Sequence, residues 1–425
     1  MFDLLVIGGG LAGTIAALEA RASGARVALC TRSWGATALS TGALDVAFAP
    51  GSEPTQRRSI AGHAHAIANS RARHPYAVLG ADRALNAMTD GLERLTPALE
   101  AAGLVIPPID SAKPNGAYVS SLGALVPAAT SLMPHAWPVG GGRLGIVQLA
   151  GDASFDARHI AKAVTHDARQ SWGWDLSCDI IAVRYDGSHG SMAVARGLDD
   201  LGAAERLAAE LKDRTANVDC LVLPPVLGLV RYREVLAILR AAVKVPVIEA
   251  LAHLPSVPGV RLQNALDRAL READVTILGE VSSAETHGGR VTAVLSPSGE
   301  RLMAHYFVLA SGRFISGGIV FDTKVREPLF DLPTVSELGL IEKDAPQGVV
   351  RADPRESHPL MTAGVDVNRT LQPMSEGRVA FGNLFAAGMV IGGFASRFAL
   401  CADGVALATG VIAARSALGA TKAAA

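Results

Sequence analysis

Phe2-Asp3-Leu4-Leu5-Val6-Ile7-Gly8-Gly9-Gly10-Leu11-Ala12-Gly13 opens the chain, and its reading decides the fold. Phe2 to Ile7 is an apolar run of strand length. A helical pattern follows from Thr14 to Ser23, with Ile15, Leu18 and Ala22 on one face. Gly24 ends it, and Ala25 to Cys30 reads as a second strand. Strand, glycine turn, helix and strand within about 30 residues is the context in which G-x-G-x-x-G marks a nucleotide-binding turn. Gly8 permits the tight turn, Gly10 lets the backbone approach a phosphate, and Gly13 lets the helix pack close to the strand. The amides of the helix N-terminus, beginning at Leu11 and Ala12, face that phosphate with the positive end of the helix dipole.

The unit lacks one expected feature. A dinucleotide fingerprint places an acidic residue about 20 residues after the glycines, where it holds a ribose hydroxyl. Here the second strand ends in Cys30-Thr31-Arg32, and no Asp or Glu occurs between Glu19 and Asp45. Arg32 suits a phosphate instead. The expected cofactor is therefore FMN, with FAD as the alternative; the extra phosphate of NADP would also suit Arg32.

A chain of 425 residues with 49% hydrophobic content and 44 glycines suits an α/β protein of two or three domains. A net charge of −1 leaves no electrostatic case for nucleic acid. Cys30, Cys178, Cys220 and Cys401 are far apart and offer neither an iron–sulfur pattern nor a disulfide framework. His63, His65 and His74 have no neighbouring Cys/Asp/Glu cluster, so no metal site is expected. The chain enters a strand by residue 3, so no signal peptide is expected before the fold. The longest uncharged apolar stretch, Leu384 to Ser396, is too short to span a bilayer. A cytoplasmic protein is expected.

Beyond the first unit, Ser33 to Ala49 is rich in small and hydroxyl residues. In a flavoprotein this loop passes along the cofactor, with Thr37, Ser40, Thr41 and Gly42 in contact. Pro50 to Ser59 reads as a linker. Ile60 to Ala72, Arg83 to Ala102, Asp156 to Gln170 and Gly202 to Lys212 look helical, and Cys220 to Leu223 reads as a buried strand. Gly140-Gly141-Gly142-Arg143-Leu144-Gly145 matches the glycine pattern by letters but precedes a strand, so it reads as a loop. From Pro255 the pattern changes. A helix opens near Gly259, Val275 to Leu278 is a strand, and Arg290 to Ser296 with Leu302 to Val308 reads as a hairpin. Phe307-Val308-Leu309-Ala310-Ser311-Gly312 and Asn383-Leu384-Phe385-Ala386-Ala387-Gly388 are apolar strands ending in small residues. Such ends, with Gly392 and Gly393, permit close approach to a cofactor. A helix follows from about Asp403, its expected N-cap, to Leu418. The expected fold is α/β: a Rossmann-like flavin-binding domain with a parallel sheet, split into 1–55 and 255–425, around an inserted α/β cap or substrate domain at 56–254.

These stretches, with Ser40-Thr41-Gly42-Ala43-Leu44-Asp45, Gly259-Val260-Arg261-Leu262-Gln263-Asn264 and Arg326-Glu327-Pro328, resemble the B subunit of the anaerobic glycerol-3-phosphate dehydrogenase. The resemblance runs from end to end and is looser in the middle. It implies an FMN-containing subunit paired with a second flavoprotein subunit, oxidising sn-glycerol 3-phosphate to dihydroxyacetone phosphate. A membrane-attached iron–sulfur subunit would pass electrons to quinone and hold the complex at the inner face of the membrane. Two departures stand out: Leu400-Cys401-Ala402-Asp403-Gly404 in place of a more glycine-rich run, and Arg313 in place of a small residue. Arg261 and Arg326 are expected beside the cleft, where an arginine fork suits a phosphomonoester. Asp45 is expected to take or orient the substrate hydroxyl proton. For each of these three the competing reading is a structural ion pair. Two further functional readings stay open. One is a non-catalytic flavin electron-relay subunit. The other is a fumarate-reductase-like dicarboxylate flavoenzyme, although Phe394 and Ala395 follow Gly393 and Arg397 stands alone.

Overall fold

A computed structural model describes residues 1–424 apart from 133–139, 188, 342–348, 354–355 and 357. In chain order the principal elements are β1 (Phe2–Ile7), α1 (Leu11–Ala22), β2 (Val27–Cys30), α2 (Ala81–Ala101), β3 (Gly141–Leu149), β4 (Asp175–Val183), β5 (Cys220–Leu223), β6 (Val247–Glu249), α3 (Val257–Glu272), β7 (Thr276–Leu278), β8 (Ala304–Leu309), β9 (Leu384–Ala386) and α4 (Ala402–Ala424).

The first sheet has the order β7-β2-β1-β8-β9 and is parallel throughout. Leu4, Leu5 and Val6 are fully buried, as are Phe307, Val308 and Leu309. Such continuous apolar runs are what strands covered on both faces require. β1 sends the chain through α1 to β2 on one side and meets β8 on the other, so the strand order reverses at β1. In open parallel sheets, ligands bind in the crevice outside the carboxyl ends of the strands at such a switch point.

α4 is buried on almost all sides from Val405 to Ala414, as a helix apolar around its circumference must be. It packs across α1 and α2. A side chain at Gly410 would put its Cβ 2.6 Å from the Ala12 carbonyl oxygen, so this glycine sets how closely α4 crosses α1. Residues 60–101 fall within the segment read from sequence as inserted, yet the helix Ile60–Ser70 and α2 belong to the same apolar core as α1, α3 and α4.

The second parallel sheet, β6-β5-β3-β4, carries the α/β unit between residues 141 and 249. The helix Ala157–Asp167 covers one face, closing a separate core of Leu144, Ile146, Val222, Phe155 and Trp172. Two sequence expectations are corrected here. Gly141 to Gly145 is strand rather than loop, and Gly145 makes room for neighbouring strands, its Cβ position lying 2.6 Å from Ile181 Cδ1. The expected hairpin between 290–296 and 302–308 forms only next to its turn, where Val294 and Leu295 face Leu302 and Arg301. Arg290–Leu295 pairs with Ser283–His287 and Arg301–Leu302, while Ala304–Leu309 is buried in the first sheet beside β1.

Candidate flavin site

A cavity of about 840 Å³ opens at the carboxyl ends of the first sheet. Its wall includes Glu280 beyond β7, Arg32 beyond β2, the Gly8–Ala12 turn beyond β1, Ser311 and Gly312 beyond β8, and Gly388 beyond β9. It therefore crosses the whole sheet, four inter-strand gaps of about 4.8 Å each, or about 19 Å.

The glycine turn divides its work among the three motif glycines. Gly8 has φ +116°, and a Cβ there would lie 2.2 Å from the Ala310 carbonyl oxygen, so only glycine fits between β1 and the end of β8. Gly13 does not line the cavity; its Cβ position is 1.9 Å from the Gly8 carbonyl oxygen, the close helix–strand contact expected of it. Gly10 faces the cavity and meets only the Thr37 hydroxyl, 3.3 Å from its Cβ position. That hydroxyl accepts from the Leu11 amide at 2.9 Å, tying the 36–39 turn to the start of α1. Gly35, overlooked in the sequence reading, brings its Cβ position within 3.2 Å of the Gly10 Cα.

Thr37, Ser40 and Thr41 line the cavity, as do Ser311, Gly312 and Gly388. The Ser311 hydroxyl is buried without a hydrogen-bond partner. A polar atom of a bound ligand would satisfy it, and buried polar groups are rarely left orphaned. With the cradle at Gly10, this fits a phosphate-bearing cofactor. Three other glycines expected at the cofactor lie behind the wall. Gly42, at φ +95°, turns the loop after Thr41 and its carbonyl accepts from Leu132. Gly392 packs against the Gly364 and Val335 carbonyls, and Gly393 against the backbone of Arg73.

Asp45 and Asp403 face the cavity as a pair. The Asp403 amide donates to Asp45 Oδ1 at 2.9 Å, and the Asp45 amide donates to Asp403 Oδ2 at 3.1 Å. Because α4 begins at Ala402, Asp403 sits inside the first turn and the carboxylate accepting its amide is Asp45, not the expected Asp403 cap. Burial pushes both carboxyls up, Asp403 further because the Asp45 charge adds to desolvation; backbone amides restrain the shift of Asp45. Cys401 packs beside them, its thiol also pushed up by burial.

Neither arginine expected in the cleft lines it. Arg261 is 3% exposed and forks onto Glu249 at 2.7 and 3.1 Å, with Nε donating to the Gly228 carbonyl and the Tyr232 ring 4.3 Å away. Arg326 pairs with Asp322 at 2.9 Å on the ribbon formed with residues 320–321. Its neighbour Glu327 faces the cavity instead, buried and accepting from the Leu329 and Phe330 amides at 2.8 Å. Arg313, noted as a departure, donates to the carbonyls of Met361, Met389, Ile391 and Phe394, and burial lowers it to about 10. Arg32 pairs with Glu280 at 3.7 Å. An acidic residue, absent after β2, thus stands beyond the neighbouring strand, a placement that sequence order hides.

A family model described as "FAD binding domain" matches residues 3–405. The B subunit of the anaerobic glycerol-3-phosphate dehydrogenase of Yersinia pestis is 30% identical over 435 residues, covering 96% of this chain and 96% of its own. The protein of the same name from Pasteurella multocida is 26% identical, covering 97% and 98%. The chain belongs to the family of anaerobic glycerol-3-phosphate dehydrogenase B subunits. Its fold class is the expected one, and as a family member it is a flavin-dependent oxidoreductase. Among solved structures, the chain is loosely similar to a 3-ketosteroid-Δ4-(5α)-dehydrogenase from Rhodococcus jostii RHA1, with a TM-score of 0.39 at 13% identity, covering 98% of this chain and 96% of that one. A flavocytochrome c3 fumarate reductase gives a TM-score of 0.40 at 13% identity, covering 98% and 78%.

Proposed function

We propose that this chain holds FAD along the cavity and oxidises the secondary alcohol of sn-glycerol 3-phosphate to dihydroxyacetone phosphate. Electrons then leave through a second flavoprotein subunit and a membrane-attached iron–sulfur subunit toward quinone. The observation that carries this reading is a cavity whose wall takes in both the glycine turn after β1 and the Asp45–Asp403 pair. The substrate comes from the name shared by the relatives that match end to end.

FAD is favoured over the expected FMN by the reach of the cavity. It continues past the glycine turn to Arg32 and Glu280, room that a second nucleoside would take up. In this reading Gly10, Leu11 and Ala12 approach the pyrophosphate, and the loop at Thr37 to Thr41, with Ser311, Gly312 and Gly388, lies along the rest of the cofactor. Bound there, the flavin supplies the two-electron acceptor.

The protein's remaining task is the substrate hydroxyl proton. Asp45 accepts it; burial pushes both carboxyls up, Asp403 further because the Asp45 charge adds to desolvation, so the pair favours holding a proton between them. Arg261 and Arg326 have no part, each being held in an ion pair outside the wall. Onward transfer needs a partner, because the four cysteines are too scattered to ligate a cluster. Among the described residues no helix is long and apolar enough to cross a membrane, so attachment to one would come through that partner.

Anaerobic titration of the complex purified from its own cells tests this. sn-Glycerol 3-phosphate is expected to bleach the visible flavin absorbance of this chain, and glycerol and succinate are not. Bleaching by succinate alone would move the chain to the dicarboxylate reading. A flavin-loaded chain that no substrate reduces except through its partner would make it the relay subunit.

A further inference from the structure

We infer that Gln263 on α3 is a positioning residue for the flavin phosphate. It holds the peptide between Gly9 and Gly10 with the carbonyl turned away from the cavity and the N–H turned toward it. The inference rests on reading the glycine turn as the phosphate cradle, and it is the same for a flavin with one phosphate or with two.

The turn needs such a hold. The G-x-G-x-x-G pattern asks for glycine at Gly8, Gly10 and Gly13, yet position 9 is glycine as well. The Gly9–Gly10 peptide is thus flanked by two residues without a Cβ, which leaves its plane little restrained by local sterics. In a trans peptide the carbonyl and the N–H point in opposite directions. One orientation shows a bound phosphate an amide donor; the other shows it a carbonyl oxygen, which repels it. The structure fixes the orientation from behind. Gln263 Nε2 donates to the Gly9 carbonyl at 3.2 Å and to Asp267 Oδ1, one turn further along α3, at 2.8 Å. Asp267 Oδ2 in turn accepts from the Trp34 indole at 3.1 Å. Gln263 is 1% exposed and does not line the cavity, whereas Gly9 and Gly10 do. With the Gly9 carbonyl drawn toward α3, the Gly10 N–H is left on the cavity side, and it has no acceptor among the described residues.

Gly259 places α3 for this contact. It lies four residues before Gln263 and so on the same face of the helix. A Cβ at Gly259 would lie 2.4 Å from the Ala38 carbonyl oxygen, so α3 rests directly on the 36–39 turn. That turn is the one whose Thr37 hydroxyl accepts from the Leu11 amide. Packing alone gives no reason for an amide at position 263. Its Oε1 is buried without a hydrogen-bond partner, a costly arrangement that an apolar side chain of the same length would avoid. Both hydrogens of the amide nitrogen are in use, one on the glycine turn and one on the residue that steers it there.

The test is binding of FMN and of riboflavin, which lacks the phosphate, to the cofactor-stripped full chain, followed by flavin fluorescence, for the wild type, Gln263→Met and Asp267→Ala. Wild type is expected to bind FMN more tightly than riboflavin. Gln263→Met keeps the length of the side chain and removes both donors. It should weaken FMN about tenfold or more, the effect of losing a hydrogen bond to a charged group, and leave riboflavin unchanged. Asp267→Ala, at a half-buried position, frees the Gln263 amide. It should weaken FMN less, about threefold, again with riboflavin unchanged, and it decides alone if Gln263→Met does not fold. Equal losses for FMN and riboflavin would make Gln263 a packing residue, and unchanged FMN affinity would show that the peptide is oriented without it. Either result overturns the inference while the cradle stands. A wild type that binds riboflavin as tightly as FMN would remove the phosphate from the glycine turn and overturn both.

Discussion

Gly8, Gly10 and Gly13 share one motif but do not share one job. A Cβ at Gly8 or Gly13 strikes backbone, whereas at Gly10 it meets only the Thr37 hydroxyl across open cavity. Gly10→Val is accordingly expected to yield a folded protein that purifies without flavin, its melting temperature close to that of the stripped wild type. A variant that keeps full yellow colour would show that the cradle lies elsewhere. Gly13→Ala should instead fail at the level of folding, because α1 cannot approach β1. His74 sets a different residue-level expectation. Its Nδ1 accepts from the Tyr76 amide at 3.0 Å, its ring lies against Phe394, and burial pushes it down to about 3. A folded value below the ordinary one of about 6.5 means that the neutral ring contributes stability above pH 6.5. That contribution is lost progressively as pH falls from about 6.5 toward about 3. The unfolding free energy in urea should fall more steeply with acid in wild type than in His74→Asn, by up to about 1.4 kcal/mol per pH unit. Parallel pH profiles would show that His74 is not the group being protonated.

Among the elements, the first βαβ unit was legible from sequence because every local signal agreed: an apolar run, a glycine turn, helical periodicity and a second apolar run. The strands of the second sheet were harder to read. Glycines at 140–145 looked like a loop, whereas Gly145 is small because side chains of β4 and β5 fill the space beside it. The Arg-Leu-Gln-Asn stretch on α3 carried a strong signal whose meaning was structural. Arg261 projects from α3 to Glu249 at the end of β6, pinning the helix to the second sheet. Removing one partner of a buried pair leaves the other charge uncompensated, at a cost of about 3–5 kcal/mol. Arg261→Ala should lower the melting temperature of the chain sharply and leave its flavin affinity at lower temperature unchanged. A variant of normal stability with weakened flavin binding would put Arg261 back at the cofactor. Contacts such as Arg32 with Glu280 and Asp45 with Asp403 were illegible because they join residues roughly 250 and 360 positions apart, brought together only by strand order and by the return of α4.

Across the whole molecule, the organising feature is one cavity at the switch point of a five-stranded parallel sheet, walled at one end by residues after β7 and β2 and at the other by the start of α4. A flavin with a single phosphate would leave the Glu280 end of that cavity unfilled, whereas FAD accounts for both ends at once. Everything proposed for the cavity therefore turns on the identity of the cofactor, and mass analysis of the flavin released from chain purified from its own cells tests it most directly. One FAD per chain is the predicted result; stoichiometric FMN, or no flavin at all, would contradict it.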